Sequence, residues 1–383
     1  MSRRLDASEC VWFGDTSMEG NQVSFKMPGV RFGFRVSGAS RVDVKMDTGG
    51  NFFRIELTCV DSDSGSVIYD LNMHSVSSVG KFEWIRVASS LDPAKTYDVK
   101  ISKKTEPEIK SLMSSFHPVR VKLVRATAAS TINHLLSPSF HSVSAKELFY
   151  PSGYIEVVGD SDACGFGVNG EISSTMNIFS MDGADEDCFK AWGSVLAEKL
   201  GFGDSFTCTA FSGKGIARNA PMCGDMCLPE LWFKHHHTLD EPPALVAILA
   251  GGNDFFDSNY PDKDDFVSKF SELIIMIRKI RGNTVPIYIF QCCASCCSSA
   301  GSPSDHPMQD PWVIESTNLL DEYTRATVVA AGGSSERIFY HHIKIQLDLP
   351  TDYATMMHWS VSGQEKIARA MAQFISSVPD KGG

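Results

Sequence analysis

Four residues, each in a short loop, could act together in nucleophilic catalysis. Ser161 lies in the sequence GDSDACGFG, where the preceding glycine lets the chain turn sharply and leaves the serine hydroxyl exposed. Gly213 lies in SGKG, a loop whose backbone N–H groups can converge on an anion. Asn253, in GNDF, can direct its amide at developing negative charge. His358 stands just before the last predicted helix, where a lone histidine is usually a polar surface residue. The set therefore contains the groups that nucleophilic catalysis uses, a hydroxyl, an imidazole and N–H donors.

Each of these loops, taken alone, also has an ordinary structural interpretation. Ser161 and its neighbouring aspartates could simply cap a helix that follows a strand. Asn253 and Asp254 are typical of turns at strand ends, where Asp254 could tie down the loop, and SGKG could be a plain turn. The GDS loop is a poor phosphate cradle, because no GKS or GKT follows it. The positions of the loops relative to the elements around them must therefore decide.

The chain after residue 151 predicts a parallel sheet covered by helices. Apolar runs without alternation predict strands at 154–158, 244–249, 285–290 and 337–343. Apolar residues at helical spacing predict helices at 186–200, 266–280 and 363–375. Alternating strands and helices of this kind favour a three-layer α/β/α domain, assigned to residues 146–383. In such a sheet, ligands bind beyond the carboxyl ends of the strands, where Ser161 and Asn253 both stand.

The first part of the chain has a different period. Its segments alternate apolar and polar residues, as in Val42, Val44 and Met46 between Arg41 and Lys45. This pattern predicts an antiparallel β-sandwich over residues 1–145, with strands at 23–27, 31–36, 41–46, 52–60, 66–71, 82–88, 96–103 and 120–126. Residues 127–146, rich in Ser, Ala and Thr, are expected to connect the two domains.

The order of the four loops resembles that of the SGNH, or GDSL, hydrolases. Ser161 stands in the first block, Gly213 in the second, Asn253 in the third and His358 near the C-terminus, and the resemblance covers residues 151–377. With the β-sandwich in front, the whole chain is similar to carbohydrate esterase family two, in which a jelly-roll domain precedes the hydrolase domain. The segments FYPSG at 149–153, SGKGIARN at 212–219 and residues 92–103 also resemble that family.

The resemblance implies a serine esterase that needs no cofactor or metal. Ser161 would attack an ester carbonyl while His358 takes its proton. The N–H groups of Ser161 and Gly213 and the side chain of Asn253 would form the oxyanion hole. The implied substrate is an acylated glycan or small molecule, and removal of an acetyl group is the leading expectation. The alternatives are an esterase or thioesterase for lipids or other small esters, and a non-catalytic glycan-binding protein.

Three residues depart from the pattern of the family. Thr355 stands three residues before His358, where many members have the aspartate that orients the histidine. Asp352, six residues before His358, is a possible substitute, although some family members use a backbone carbonyl instead, here expected within 352–357. Asp162 replaces an aliphatic residue after the nucleophile, and Trp359 replaces a proline, which makes it a possible sugar-stacking platform or a core residue.

Composition and cysteine usage limit the partners. With 35 Lys and Arg against 46 Asp and Glu, the formal charge is −11, so binding to nucleic acid or to an anionic membrane is not expected. No apolar run approaches the roughly 18 residues that cross a bilayer, and the N-terminus lacks the apolar region of a signal peptide. These features, with 11 scattered cysteines, favour the cytoplasm unless a leader was trimmed.

The cysteine and histidine clusters are interpreted as structural. The Cys223/Cys227 pair and the group at 292, 293, 296 and 297 do not have clear zinc-ribbon spacing. Cys292 is expected to be a small buried hydrophobe, and the histidines at 235–237 and 341–342 are expected in solvated loop or strand positions.

Overall fold

The computed structural model divides the chain into two compact units, Met1–Pro151 and Ser152–Gly383. The structure describes residues 1–62, 65–71, 80–106, 118–128, 137–172, 183–257, 259–292 and 311–379. The division falls six residues after the boundary expected at 145. The reason is a short helix, α1 (Ala145–Phe149), whose Phe149 ring stacks on Phe13 of the first unit at 5.8 Å between centroids.

The first unit consists of two antiparallel sheets. One is six-stranded, with the order β3-β4-β11-β6-β9 and with β1 paired to β11. The other is also six-stranded, with the order β12-β5-β10-β7-β8 and with β2 paired to β5. The strands are β1 (Ser2–Asp6), β2 (Val11–Phe13), β3 (Ser17–Glu19), β4 (Gln22–Phe25), β5 (Arg31–Ser37), β6 (Arg41–Asp47), β7 (Phe53–Cys59), β8 (Val67–Leu71), β9 (Glu83–Ser89), β10 (Thr96–Lys103), β11 (Val119–Thr127) and β12 (Ser139–His141).

Alternating side chains hold the two sheets together and confirm the predicted sandwich. Val42, Val44 and Met46 of β6 are fully buried, as the period-two pattern requires. Phe25 of the first sheet lies 6.5 Å from Phe32 of the second, measured between ring centroids. All eight predicted strands are present within two residues of their expected ends. Strands β1, β2, β3 and β12 were not predicted, because they are short and carry little apolar alternation.

The second unit is built on a five-stranded sheet with the order β14-β13-β15-β16-β17. Its strands are β13 (Ile155–Gly159), β14 (Phe206–Ala210), β15 (Leu245–Leu249), β16 (Ile287–Gln291) and β17 (Ile338–His342), and every pairing between them is parallel. Four of the five match predicted strands, while β14 was not predicted. Because β13 lies between β14 and β15, the loops that follow these three strands are neighbours at one edge of the sheet.

Helices cover both faces of this sheet, which confirms the predicted three-layer architecture. They are α2 (Ser161–Cys164), α3 (Trp192–Lys199), α4 (Leu228–His235), α5 (Lys263–Arg281), α6 (Pro311–Ala330) and α7 (Val361–Ser377). Ile155 and Val157 of β13 share a buried cluster with Trp192 of α3 and Ile367 of α7. On the opposite face, Glu156 bonds to side chains of α4 and α5.

Helix α3 is shorter than the helix predicted at 186–200. It begins at Trp192, because the residues before it form turns. The N–H of Phe189 donates to the Asp187 carboxylate at 3.1 Å, a local bond that competes with helix formation. Within the described residues, no helix is long and apolar enough to span a membrane.

Candidate active site

Ser161 stands where β13 ends and α2 begins. Asp160 caps this short helix, and its carboxylate accepts the N–H of Asp162 at 3.3 Å. Ser161 is largely buried, with 7% of its surface exposed. Its Oγ atom lies 2.9 Å from Nε2 of His358, which comes from the loop before α7. The structure thus brings together the two residues that were predicted as nucleophile and base, although 197 positions separate them in sequence.

The other ring nitrogen of His358 faces a backbone carbonyl. Nδ1 lies 3.3 Å from the carbonyl oxygen of Thr355, so a proton on Nδ1 can be donated to that oxygen. The ring of Phe166 packs against the imidazole, with centroids 4.8 Å apart. A proton held on Nδ1 leaves Nε2 free to accept the serine proton, and this is the tautomer that a general base requires.

An unusual backbone turn places the Thr355 carbonyl. The next two residues, Met356 and Met357, have φ of +54° and +59°, a conformation that costs about 1–2 kcal/mol per non-glycine residue. Gly167 packs so closely on Thr355 that an added Cβ atom would lie 2.9 Å from the threonine Cβ. The Thr355 hydroxyl also donates to the carbonyl of Glu171 at 3.2 Å. Gly167 and Glu171, both in the chain that follows Ser161, therefore hold Thr355, the residue that orients His358.

Asp352, the possible orienter of His358, is turned toward other partners. Its carboxylate accepts the N–H of Asp348 at 2.7 Å, the hydroxyl of Ser362 at 2.7 Å and the ammonium of Lys366 at 2.5 Å. Burial raises the pKa of Asp352, but these donors outweigh it and leave the pKa below its usual value. Through these bonds Asp352 stabilises the turn that leads into α7, and its carboxylate is not the group that accepts the Nδ1 proton of His358.

Trp359, the possible sugar platform, lies inside the protein. Only 3% of its surface is exposed, and it belongs to the same buried cluster as Trp192. A stacking platform needs an accessible ring face, so the structure supports the alternative interpretation of Trp359 as a core residue. Its position is fixed further by an isolated antiparallel bridge between Tyr353 and Trp359.

The three predicted oxyanion donors differ in their present hydrogen bonds. Among the described residues, neither the N–H of Ser161 nor that of Gly213 has a hydrogen-bond acceptor. Gly213 has a φ of +75°, and a Cβ atom there would lie 2.1 Å from Sγ of Cys223, so the loop requires glycine. The Asn253 amide donates to Oδ2 of Asp160 at 3.0 Å and to the carbonyl of Lys214 at 3.1 Å. Asn253 therefore clamps the first two loops together, and must exchange one of these bonds to donate to an oxyanion.

Asp254 ties the Gly213 loop to the end of β15. Its buried carboxylate accepts the N–H groups of Ile216 at 2.7 Å, Ala217 at 2.7 Å and Arg218 at 2.8 Å. Burial raises the pKa of Asp254 to about 7, against the opposing effect of these donors. Sequence reasoning suggested that Asp254 ties down a loop, but not that the loop is the one carrying Gly213.

The cysteines and histidines that form clusters in the sequence have separate partners or surroundings in the structure. Cys223 and Cys227 donate to the backbone carbonyls of Pro221 and Asp225, and Cys292 is buried after β16. Residues 293, 296 and 297 lie outside the described residues. The expectation that the histidines are solvated is wrong for His235 and His237, which are both buried, and His237 is 2% exposed beside Glu156.

The arrangement around Ser161 can carry out acyl transfer. A hydroxyl within hydrogen-bond reach of an oriented imidazole is the geometry of an activated nucleophile. The N–H groups of Ser161 and Gly213 have no acceptor among the described residues, and N–H donors of this kind are what an oxyanion requires.

Solved structures share this fold over nearly the whole chain. A family two carbohydrate esterase from Clostridium thermocellum, in complex with cellohexaose, has a TM-score of 0.69 and 18% identity and covers 96% of this chain and 98% of its own. A family two carbohydrate esterase from Cellvibrio japonicus has a TM-score of 0.68 and 15% identity, and the match covers 98% of this chain and 97% of the esterase. An acetyl xylan esterase from Butyrivibrio proteoclasticus has a TM-score of 0.64 and 13% identity, and the match covers 98% of this chain and 97% of the esterase.

These comparisons establish the fold. The chain has the two-domain fold of family two carbohydrate esterases, as its sequence suggested. No protein-family model matches the sequence, and no curated protein matches it.

Proposed function

We propose that this protein is a carbohydrate esterase that removes a short acyl group, most simply acetyl, from a glycan. The observation that carries the proposal is the 2.9 Å contact between Ser161 Oγ and His358 Nε2. The fold shared with an acetyl xylan esterase and with an esterase bound to cellohexaose supports a carbohydrate substrate.

The reaction follows from the positions of these atoms. Ser161 Oγ attacks the ester carbonyl while its proton passes to Nε2 of His358. The carbonyl oxygen becomes an oxyanion, held by the N–H groups of Ser161 and Gly213 and by Asn253 once its amide turns from one present partner. The His358 proton then passes to the departing sugar oxygen, which leaves an acyl-serine. Water gives a proton to His358, attacks the acyl group and releases the acid, and the proton returns to Ser161.

The polar surroundings of Ser161 favour a short acyl group. Asp160, Asp162 and Asn253 lie next to the nucleophile or bond to its neighbours. A long acyl chain would need an apolar channel to bury its methylene groups, each worth about 0.8 kcal/mol when buried. Polar side chains such as these do not bury methylene groups favourably, and this favours acetyl over a fatty acyl group.

The proposal is tested by measuring acetate release from acetylated xylan and cello-oligosaccharides, together with the hydrolysis of nitrophenyl acetate and octanoate. We expect acetate release from the glycans and faster turnover of the acetyl ester, and Ser161→Ala serves as the inactive control. Faster turnover of the octanoyl ester would favour a lipid esterase. Glycan binding without turnover by the wild type would favour a non-catalytic binding protein.

A further inference from the structure

The outer face of one sheet in the first unit gathers cations that are scattered in the sequence. Strands β9, β6, β11 and β1 lie side by side in this sheet. The antiparallel register places Asp43 of β6 opposite both Arg86 of β9 and Arg125 of β11. On the other side of Arg125 lies Arg4 of β1. Because opposite residues share a face, the register forms a row of three arginines around one aspartate.

This surface, the basic face, has a charge opposite to that of the whole chain. Seven cations from the four strands lie on it, namely Arg4, Arg41, Lys45, Arg86, Arg120, Lys122 and Arg125. Three carboxylates accompany them, namely Asp6, Asp43 and Asp47. Seven positive and three negative charges leave a net of +4, whereas the whole chain has −11. An anionic ligand is therefore attracted to the basic face and repelled elsewhere.

Two buried carboxylates hold three of the arginines in place. The Asp43 side chain is 2% exposed and accepts Nε of Arg41 at 2.8 Å and a terminal nitrogen of Arg125 at 3.2 Å. Asp47, also 2% exposed, accepts a terminal nitrogen of Arg120 at 2.5 Å. The three arginine side chains stay partly exposed. Each guanidinium has five N–H donors, so fixed donors remain that can bind a carboxylate through two parallel bonds.

Other cations of the basic face are not neutralised. Lys45 and Lys122 form no ion pair within the part of the chain that the structure describes. The side chain of Arg86 is 57% exposed, and its Nε lies 4.0 Å from the Asp43 carboxylate, beyond hydrogen-bond distance. These side chains add positive charge that a ligand can reach.

Two aromatic rings lie among the cations. Nζ of Lys122 is 4.0 Å from the centroid of Phe82, and the guanidinium carbon of Arg125 is 4.2 Å from that of Trp84. Both rings are partly exposed, and Trp84 stands opposite Lys45 across the strands. Rings beside cations combine an apolar surface, which suits the C–H groups of a sugar, with charges that suit a carboxylate.

We propose that the basic face binds a glycan that carries carboxylate groups on some of its sugars, as uronic acids do. A nucleic acid has a phosphate on every nucleotide, and the acidic remainder of the chain repels such dense negative charge. A glycan with sparse carboxylates meets less of this repulsion. The inference rests on the proposed function for the choice of a glycan, and it deepens that function by naming the class of glycan.

The test compares the binding of two glycans by the full chain. Isothermal titration calorimetry measures Kd for a xylan substituted with glucuronic acid and for an uncharged arabinoxylan. Both are freed of acyl groups, so no turnover occurs during the titration. We expect tighter binding of the charged xylan, and this preference should disappear in about 0.5 M NaCl because salt screens exposed charges.

Variants of the basic face test where the charged xylan binds. With Arg86→Gln and Lys122→Gln combined, Kd for the charged xylan should rise about tenfold, the effect of one lost charge-assisted hydrogen bond, and Kd for arabinoxylan should stay the same. Lys45→Gln should weaken binding in the same direction and serves if the double variant does not fold. The matched control combines Arg369→Gln and Lys279→Gln, exposed cations of α7 and α5, and should leave both Kd values unchanged.

Equal affinity for the two glycans, or equal losses in the double variant and its control, would overturn the proposal. Tighter binding to single-stranded DNA or to phosphatidylglycerol vesicles than to the charged xylan would overturn it in favour of another polyanion. Hydrolysis of nitrophenyl acetate separates this inference from the proposed function. Selective binding by a protein that hydrolyses no ester would support the basic face and refute the esterase. Esterase activity without selective binding would refute the basic face alone.

Discussion

The imidazole of His358 is oriented by the backbone of Thr355, whose carbonyl oxygen lies 3.3 Å from Nδ1. Thr355 occupies the position three residues before the histidine, where the resembled family often has an aspartate. A carbonyl can hold the ring and its tautomer, but it carries no full negative charge. The backbone thus supplies the orienting part of a triad aspartate's role without its charge.

The first prediction concerns Asp352, the carboxylate that the sequence offers as a replacement. Asp352→Asn should lower kcat by less than about tenfold, whereas loss of a triad aspartate costs about 10⁴. The same change should lower the free energy of unfolding by about 1–3 kcal/mol, because bonds to Lys366 and Ser362 are lost. Steady-state kinetics and urea unfolding check the two parts. A loss in kcat near 10⁴ would mean that Asp352 orients His358 after all.

The second prediction concerns the bonds that Asp254 makes to the Gly213 loop. In the Asp254 carboxylate, Oδ2 accepts the N–H of Ile216, and Oδ1 accepts the N–H groups of Ala217 and Arg218. Asp254→Asn replaces one of these oxygens with an amide NH₂ group, which cannot accept a hydrogen bond. The loop should move, and kcat should fall by up to about 10²–10³, the effect of one lost oxyanion donor. KM for a small ester should change much less, because the donor acts on the transition state.

Asp257→Asn is the matched control for this variant. Asp257 pairs with the side chain of Arg218 at 2.5 Å but makes no bond to the backbone N–H groups of the loop. We expect its kcat to stay close to the wild-type value. Equal losses in the two variants would show that the side chain of Arg218, and not the backbone bonds, holds the loop.

The third prediction concerns acid stability and the buried charges below the site. Arg281 binds both carboxylate oxygens of Glu156, at 2.6 and 3.0 Å, and Trp232 donates to the same carboxylate at 2.9 Å. His237 lies 3.8 Å from Glu156, and burial lowers the pKa of His237 to about 3. Burial, and to a lesser extent the charge of Arg281, thus favours the neutral form of His237 in the folded protein.

A histidine whose pKa falls on folding stabilises the folded state above its unfolded pKa of about 6.5, and this contribution is lost as pH falls towards 3. The free energy of unfolding should therefore drop by about 1.4 kcal/mol per pH unit below 6.5 from this group alone. Urea unfolding at pH 7 and pH 5 measures the slope. In His237→Phe, which cannot ionise, the slope should be smaller by that amount, and an identical slope would contradict the assignment.

The predictable part of the fold was the part with a strong local pattern. Strand β6 could be placed because Val42, Val44 and Met46 alternate with polar residues, and the core follows that alternation. Strand β14 could not, because its sequence FTCTA is polar at alternate positions although it is buried throughout. Thr207 and Thr209 are buried by elements that are distant in sequence, and a local pattern of residues cannot predict such burial.

The same limit applies to the site. Ser161 and His358 could be identified because the order of the four loops resembles that of the SGNH hydrolases, and Ser161 also follows directly after a predicted strand of the parallel sheet. The bond between Asn253 and Asp160 spans 93 positions, and no spacing rule predicts it. Thr355 could be placed only within a six-residue segment, since the left-handed turn at Met356 and Met357 decides which carbonyl faces the ring.

Mass-spectrometric mapping of a fluorophosphonate adduct tests the central claim most directly, because the reagent captures the activated nucleophile itself. The account predicts one stoichiometric adduct on Ser161 in the wild type, none in Ser161→Ala, and labelling that is slowed by orders of magnitude in His358→Ala, since the two residues act as a unit. An adduct on another residue, or Ser161 labelling at an unchanged rate without His358, would contradict the assignment of Ser161 and His358 as nucleophile and base.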